Sequence, residues 1–260
     1  MSNVDIHSKW VSTYRTSEAQ SFYELAFDEI ARRLAAPKDA VILDAGCGSC
    51  AKSVLLAERG FRVVGVDFSA DALKLAGDVI RQREVEDRIT LRQGDLLKLP
   101  FADGEFSYAI CWGVLMHVPN VQQALAELAR VVKPGGMLVT SEANMYALQS
   151  VAIRALKRLL GRGRGRLVRT PAGLENFEQT PHGELVTRET DIAWYVDKLN
   201  QLGFDCEARI AGQFTELYVV APWAPLRRFI HAWNGLWFRS VGNARPAQAN
   251  ILIFRKRLTA

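Results

Sequence analysis

The chain has 260 residues, of which 49% are hydrophobic and 23% are charged, and its formal net charge is +5. This composition is typical of globular proteins, and it excludes collagenous, coiled-coil and largely disordered chains. No run of about 18 apolar residues occurs, no secretory signal begins the sequence, and only four scattered cysteines are present, so a cytoplasmic location is expected.

The first half of the chain alternates short apolar segments with helical patterns. A helix is expected near 18–36, before the alternation begins. Strands are then predicted at 41–45, 61–67, 89–92, 108–111 and 137–141, with helices at 51–59, 70–83 and 120–132 between them. Strands that alternate with helices in this way predict a parallel sheet with right-handed crossovers.

The second half is less regular. Residues 143–160 favour a helix, 163–187 show no clear period, 191–202 favour a helix, and 204–210 and 250–254 favour strands. We therefore divide the chain into an N-terminal helical cap (1–37) expected to pack over the carboxyl edge of the sheet, a ligand-binding core (38–142), a basic insertion or lid (143–187), and the C-terminal part of the core (188–260) with an aromatic insertion at 212–248.

A glycine-containing turn follows the first buried strand. It reads Asp44-Ala-Gly46-Cys-Gly48, and Asp67 ends the second strand 23 residues after Asp44. Glycines let the backbone approach a ligand closely, and the amino end of the next helix favours polar or anionic atoms. A carboxylate at the end of the second strand can accept both hydroxyls of a ribose. The pattern predicts a nucleotide-type site at the carboxyl ends of the strands.

Two ligands compete for this site. Gly46-x-Gly48-x-x-Ala51, with Asp67 19 residues after Gly48, matches the loose dinucleotide fingerprint. Asp44 would repel a pyrophosphate, however, and would instead attract the ammonium of a methionyl group.

Further segments carry a family resemblance. Gly94-Asp95-Leu96 with Leu99-Pro100-Phe101, residues 106–119 and residues 128–136 follow the turn in order. With them the chain resembles the class I S-adenosylmethionine-dependent methyltransferases. The resemblance implies an α/β fold: a Rossmann-like, doubly wound, mostly parallel seven-stranded sheet with its last strand antiparallel, helices on both faces, and helical insertions. It also implies S-adenosylmethionine as the cofactor.

The resemblance assigns roles to individual residues. The methionine portion would be held by Asp44, Gly46 and Gly48, and its carboxylate by Tyr14. The ribose would bind Asp67, and adenine would contact Phe68, Asp95 and the backbone N–H of Leu96. Cys111 and Trp112 would line the floor near the sulfonium. For Phe68 and Leu96 the alternative is that they only fill the core.

His117 is the candidate general base, and His182 is the second choice. The alternative is that His117 has a structural role in its His-Val-Pro turn. The quinone O-methyltransferases, which this loop resembles, carry acids where this chain has Gly113 and Met116, so a metal-free site is expected. The Asp-Pro-Pro-Tyr type of motif for a flipped adenine is absent.

Two features point to the methyl acceptor. Seven basic residues, Arg154, Lys157, Arg158, Arg162, Arg164, Arg166 and Arg169, lie in a stretch that has no acid between Glu142 and Glu175. A helix over 226–237 would carry Leu226, Phe229, Ile230, Trp233, Leu236 and Trp237 on one face and Arg227, Arg228 and His231 on the other. Together they favour an anionic, lipid-linked or phosphorylated acceptor, or a membrane surface. Alternatively, the aromatic face is core or dimer interface and the arginines are only solvated.

The sequence therefore predicts a methyltransferase that acts on a small-molecule, glycan or lipid-linked acceptor by metal-free in-line displacement. One alternative is an RNA methyltransferase that uses the basic stretch, although no recognisable RNA-binding module supports a nucleic-acid partner. Another is a non-catalytic module that binds S-adenosylmethionine and regulates a partner.

Overall fold

The computed structural model describes residues 17–160, 166–180 and 183–258. In chain order its helices and strands are α1 (Ser17–Leu34), β1 (Val41–Ala45), α2 (Ser53–Glu58), β2 (Arg62–Asp67), α3 (Ala70–Gln82), β3 (Ile89–Gln93), β4 (Phe106–Trp112), α4 (Val121–Val131), β5 (Val132–Ala143), α5 (Leu148–Leu159), β6 (Arg166–Thr170), β7 (Gly173–Thr180), β8 (Gly183–Thr190), α6 (Ile192–Gln201), β9 (Phe204–Ala211), α7 (Ala224–Leu236) and β10 (Ala249–Lys256). Short 3₁₀ turns span Leu115–His117 and Leu217–Val219, and a π-helical turn spans Trp237–Val241.

Seven strands form the main sheet in the order β3-β2-β1-β4-β5-β10-β9. β10 runs antiparallel to both of its neighbours, and the other paired strands run parallel. Strand order reverses between β1 and β4, which is the topological switch point where open α/β sheets bind ligands. The predicted α/β fold with an antiparallel last strand is confirmed.

Helices cover both faces of this sheet. Alternate strand residues point to opposite faces, so Ile42 packs beneath α1 to α3 while Leu43 packs against the α4 and α6 side. Local chemistry fixes where the helices begin: the Ser69 hydroxyl accepts a hydrogen bond from the Ala72 N–H, and Asn120 and Asp191 cap α4 and α6 in the same way. These three helices were predicted to within two residues.

The insertion after β5 differs from its prediction. Where 163–187 showed no clear period, β6, β7 and β8 form a three-stranded antiparallel sheet. β8 runs through the boundary predicted at 187 and ends at Thr190. The alternation was hidden because this sheet has little apolar surface: β8 buries Val186, Arg188 and Thr190, and only the first of these is apolar.

The N-terminal helix lies beside the end of β4. The rings of Tyr23 and Phe27 on α1 lie 6.3 and 5.1 Å from the ring of Trp112. α1 also packs against α7. Within the described residues, no helix combines the length and the apolar character that crossing a membrane requires.

Candidate functional site

The turn after β1 is held against β2. The Val66 carbonyl accepts hydrogen bonds from the N–H groups of Gly46 and Cys47, at 2.7 and 3.0 Å. Gly46 has a φ of +82°, and a Cβ there would lie 2.6 Å from Val114 Cγ2. Only glycine fits this position, because the backbone is left-handed and the loop after β4 packs directly on it.

The second glycine of the turn contacts the end of β2. Gly48 N–H donates to Asp67 Oδ2 and Ser69 N–H donates to Asp67 Oδ1, both at 2.9 Å. Nothing lies within 4 Å of a Cβ placed on Gly48, so space opens beside this carboxylate. The Phe68 side chain is 59% exposed next to it. The carboxylate is thus oriented by two backbone donors and keeps further lone pairs for ligand hydroxyls.

Asp44 is a buried carboxylate beneath this turn. Its Oδ2 accepts a hydrogen bond of 2.5 Å from the Ser53 hydroxyl. Burial raises the pKa of Asp44 to about 6, against the opposing effects of Ser53 and of the nearby Lys52. A cationic ligand group would stabilise the charged form of this carboxylate.

The segment after β3 lies against β2. Gly94 N–H donates to the Asp67 carbonyl at 3.0 Å, and a Cβ on Gly94 would lie 2.7 Å from Pro100 Cδ. Asp95 is exposed, and its Oδ1 accepts from the Leu97 N–H at 2.9 Å, while the Leu96 side chain is buried in the core. Of the predicted adenine-contacting residues, Asp95 and Leu96 therefore follow β3 at the same edge as Asp67.

Cys111 and Trp112, the two residues predicted to line the floor of the cofactor site, lie at the end of β4 with their side chains on opposite sides of the sheet. Trp112 is partly buried and packs under α1. The Cys111 thiol is enclosed in the core on the α4 side, where burial raises its pKa. Because neighbouring strand residues face opposite ways, Cys111 and Trp112 lie on opposite sides of the sheet, and the place of Cys111 near the sulfonium stays a prediction. Tyr14 lies outside the described residues.

His117 sits in the 3₁₀ turn after β4. Its Nδ1–H donates to the Val186 carbonyl of β8 at 2.9 Å. The pKa of His117 is lowered, chiefly by burial and also by the positive charge of Arg188. The ring is therefore neutral near pH 7, and with Nδ1 protonated its lone pair lies on Nε2. These properties suit a general base. His182 lies outside the described residues.

The sequence did not reveal Arg188, which joins the inserted sheet to the loop after β4. Its side chain, 1% exposed, donates to the carbonyls of Leu115 and Val118 at 2.9 and 3.0 Å. It also forms an ion pair of 2.7 Å with Glu175 on β7. No local signal could have found it, since β8 itself was not predicted.

Glu142, at the end of β5, is a second buried polar residue that was not predicted from the sequence. Glu142 is buried, and its Oε2 accepts a hydrogen bond of 3.2 Å from the Thr190 hydroxyl. Burial raises the pKa of Glu142 to about 8, although Thr190 and Arg188 favour the charged form. Glu142 directly follows the predicted strand at 137–141, and that position is a signal that could have identified it.

The seven basic residues of residues 154–169 do not share one environment. Arg154 is ion-paired with Glu189 and also donates to the Met145 carbonyl, so it anchors α5. The Arg166 guanidinium lies 4.5 Å from the centroid of the Phe177 ring. Lys157, Arg158 and Arg169 are exposed, while Arg162 and Arg164 lie outside the described residues.

In the part of the chain that the structure describes, no group of three or more acidic, histidine or cysteine side chains is placed to hold a metal ion. The expected absence of a metal from the reaction stays a prediction.

Comparisons with known proteins agree with this geometry. Residues 43–140 match the family described as "Methyltransferase domain". The demethylmenaquinone methyltransferase of Lactiplantibacillus plantarum is 40% identical over 107 residues, which cover 40% of this chain and 45% of that protein. The chain thus aligns with less than half the length of this curated relative.

Solved structures resemble a larger share of the chain. An S-adenosylmethionine-dependent methyltransferase from Methanosarcina mazei superposes with a TM-score of 0.60 at 20% identity, covering 88% of this chain and 98% of that one. The geranyl diphosphate C-methyltransferase of Streptomyces coelicolor, crystallised with Mg²⁺, geranyl diphosphate and S-adenosyl-L-homocysteine, gives 0.57 at 16% identity, covering 90% and 79%. At these identities the likeness shows the fold.

Proposed function

We propose that residues 43–140, which match the methyltransferase domain family, form a class I S-adenosylmethionine-dependent methyltransferase domain, and that the chain methylates a small-molecule, glycan or lipid-linked acceptor that carries negative charge. One observation carries the proposal. In the open turn, the Gly48 N–H donates to Asp67, and the exposed ring of Phe68 lies beside that carboxylate. A carboxylate that can accept hydrogen bonds from ribose hydroxyls and an apolar face for adenine are therefore adjacent.

The residues at this cleft fit the cofactor. S-adenosylmethionine, when bound, supplies an electrophilic methyl group on a sulfonium. Asp44 holds a buried negative charge for the ammonium of the methionyl part, Asp67 accepts the ribose hydroxyls, and Phe68 packs on adenine. Charge-assisted hydrogen bonds of the kind Asp67 would accept contribute roughly 1.5–3 kcal/mol each.

The protein's remaining contribution is positioning of the acceptor. In-line displacement at a methyl group is accelerated mainly by orientation, which can supply up to about 7–11 kcal/mol. His117 takes the proton of a hydroxyl acceptor through Nε2, and the Val186 carbonyl fixes its ring by accepting from Nδ1–H. No step in this scheme requires a metal ion.

The negative charge of the acceptor is inferred from the insertion. Residues 143–174 contain seven basic and no acidic side chains. The geranyl diphosphate methyltransferase of similar fold is named for an acceptor that carries a diphosphate.

Calorimetry tests cofactor binding. S-adenosylmethionine should bind the purified chain more tightly than NAD(H), and Asp67→Ala should weaken it at least about tenfold, as expected from the loss of two charge-assisted bonds. The matched control is Asp103→Ala, an exposed carboxylate away from the turn. Tighter binding of NAD(H) would contradict the proposal.

Turnover separates the remaining alternatives. The enzyme should transfer label from methyl-labelled S-adenosylmethionine to an anionic small-molecule or lipid fraction of a cell extract. Label that appears only in ribonuclease-sensitive material would favour an RNA methyltransferase. Cofactor binding without transfer to any fraction would favour a non-catalytic module.

A further inference from the structure

Two helices of the insertions, α5 and α7, expose most of their apolar side chains. Surface helices normally bury their apolar face and expose their polar face. α5 does the reverse. Its only buried side chain is Ser150, 3% exposed, whereas Leu148, Val151, Leu156 and Leu159 share the opposite face and are exposed, Leu159 by 83%.

Polar contacts hold α5 in this orientation. The Ser150 hydroxyl oxygen lies within hydrogen-bond distance of Glu189 Oε1 and of Gln248 Oε1, 3.0 Å from each, and Arg154 forms an ion pair with Glu189. Ser150 and Arg154 are four residues apart and lie on the same side of the helix. The apolar face is therefore turned outward by contacts on the opposite side, and is not exposed merely because α5 lacks a fixed position.

α7 likewise leaves most of its apolar face exposed. It buries Ile230, His231 and Asn234. The predicted apolar face is mostly exposed: Leu226, Phe229, Trp233 and Leu236 are all accessible, Phe229 by 67%, and Trp223 precedes them. The interpretation of this face as core is therefore wrong for those four residues.

The two helices are neighbours. The amide oxygen of Gln149 on α5 accepts from the Thr215 hydroxyl and from the Glu216 N–H, the latter at 2.9 Å. The Asn234 side chain on α7 forms two hydrogen bonds with the backbone of the same Thr215, at 2.9 and 3.1 Å. Thr215 thus joins both helices, and we call their exposed apolar residues together with Trp223 the α5–α7 surface.

The exposed charges around the α5–α7 surface are basic, which favours an anionic partner. Lys157 and Arg158 end α5, and Arg227 and Arg228 lie on α7, all of them exposed. The segments that carry the two helices hold a single acid, since 143–174 contain none and 208–258 contain only the partly buried Glu216. Exposed tryptophan and phenylalanine among basic residues is the pattern of a helix that lies in the interface of an anionic bilayer.

We propose that the α5–α7 surface docks the protein on an anionic lipid bilayer. A second copy of the chain is a poorer occupant, because Lys157 and Arg158 would meet another α5–α7 surface with no exposed acid to pair with. The inference goes beyond the proposed function, since docking requires neither cofactor nor turnover. It would bring a lipid-linked acceptor to the protein within the plane of the membrane.

Vesicle co-sedimentation of the full chain tests the proposal. Binding to vesicles of phosphatidylglycerol and phosphatidylcholine should exceed binding to phosphatidylcholine alone by at least about tenfold at low salt, and the excess should fade at high salt. Leu156→Ser with Leu159→Ser, and separately Phe229→Ser, should each reduce binding several-fold. Lys157→Ser with Arg158→Ser should reduce only the preference for the anionic lipid.

Leu258→Ser is the matched control, because Leu258 is 78% exposed and lies beside Gly135. Gly135 is near the amino end of β5, whereas α5 follows the carboxyl end of that strand. It should bind vesicles like the unaltered chain, and every variant should bind S-adenosylmethionine normally in calorimetry. Equal binding to both vesicle types, or equal loss in the control, overturns the proposal. So does a dimer in sedimentation velocity that the leucine variants dissociate, if vesicles are not bound.

Discussion

The Arg188 guanidinium donates to the Leu115 carbonyl across 2.9 Å and so fastens the inserted sheet to the loop after β4. The same loop carries Val114, which packs on Gly46, and His117, which donates to the Val186 carbonyl. The loop after β4 thus contacts both the inserted sheet and the turn at Gly46, and it carries the candidate base His117.

Arg188→Met should destabilise the protein strongly. Removing one partner of a buried ion pair typically costs about 3–5 kcal/mol, and here three backbone carbonyls also lose their donor. Urea denaturation measures the loss. Arg169→Met, which removes an exposed arginine from β6, should change stability little. If the two variants are equally stable, Arg188 does not hold the loop.

Gly46→Ala should abolish tight cofactor binding, because the new Cβ meets Val114 and the backbone there is left-handed. Adding Val114→Ala relieves the clash but not the backbone strain, so the double variant should recover part of the affinity. Calorimetry on both single variants and the double variant gives the coupling energy. A coupling of zero would show that Val114 does not constrain the turn.

Cofactor affinity should depend on pH through Asp44. The pKa of this carboxyl is about 6, so it is charged above that pH and protonated below it. A cationic ligand needs the charged form, so affinity should fall by up to about tenfold per pH unit below pH 6 and level off above it. Asp44→Asn should bind more weakly and lose this dependence. An affinity independent of pH in the unaltered protein would contradict the role of Asp44.

His117→Asn separates the two roles considered for His117. Asparagine can keep a donor near the position of Nδ1, but it removes Nε2. If His117 is the base, His117→Asn and His117→Ala should both lower kcat by about 10²–10⁴ with cofactor affinity retained. If its role is structural, His117→Asn should keep near-normal kcat and only His117→Ala should lose stability. In the unaltered enzyme, the acid limb of kcat should lie below the ordinary imidazole pKa.

Stability should fall with rising pH because of Glu142. Its pKa is about 8 in the folded protein and 4.5 ordinarily, so between these values the folded state binds more protons than the unfolded state. The contribution of Glu142 to stability is therefore greatest below about pH 4.5, falls as the pH rises, and stops falling above about 8. Glu142→Gln should flatten this slope in urea titrations, and Glu178→Gln, on an exposed carboxylate, should not. An unchanged slope in Glu142→Gln would assign the pH dependence to other groups.

Much of the core was readable from the sequence because its signals are local. Asp44, Gly46 and Gly48 lie within five consecutive residues, and Asp67 ends the next strand. A buried parallel strand is an apolar run, and a parallel sheet brings the carboxyl ends of such runs to one edge. The parallel sheet and the placement of these four residues at its carboxyl edge followed from those signals, whereas the seven-stranded topology was implied by the family resemblance.

Other features depend on residues distant in sequence. Arg188 reaches Leu115 across 73 positions, and Ser150 reaches Gln248 across 98. The inserted sheet has too little apolar surface to show a period, so neither β8 nor the buried environment of Arg188 was predictable.

The local sequence thus predicted the parallel α/β core, its glycine-containing turn and the amphipathic character of α7, since each follows from neighbouring residues and from helical or strand period, and the methyltransferase class was implied by the family resemblance of these segments. The orientation of α5 and α7 on the core depends on contacts that are distant in sequence. Hydrophobicity alone would turn their leucines and aromatic rings inward. The hydrogen bonds of Ser150 and Asn234 with distant partners turn them outward, and no periodicity within a helix reports those partners.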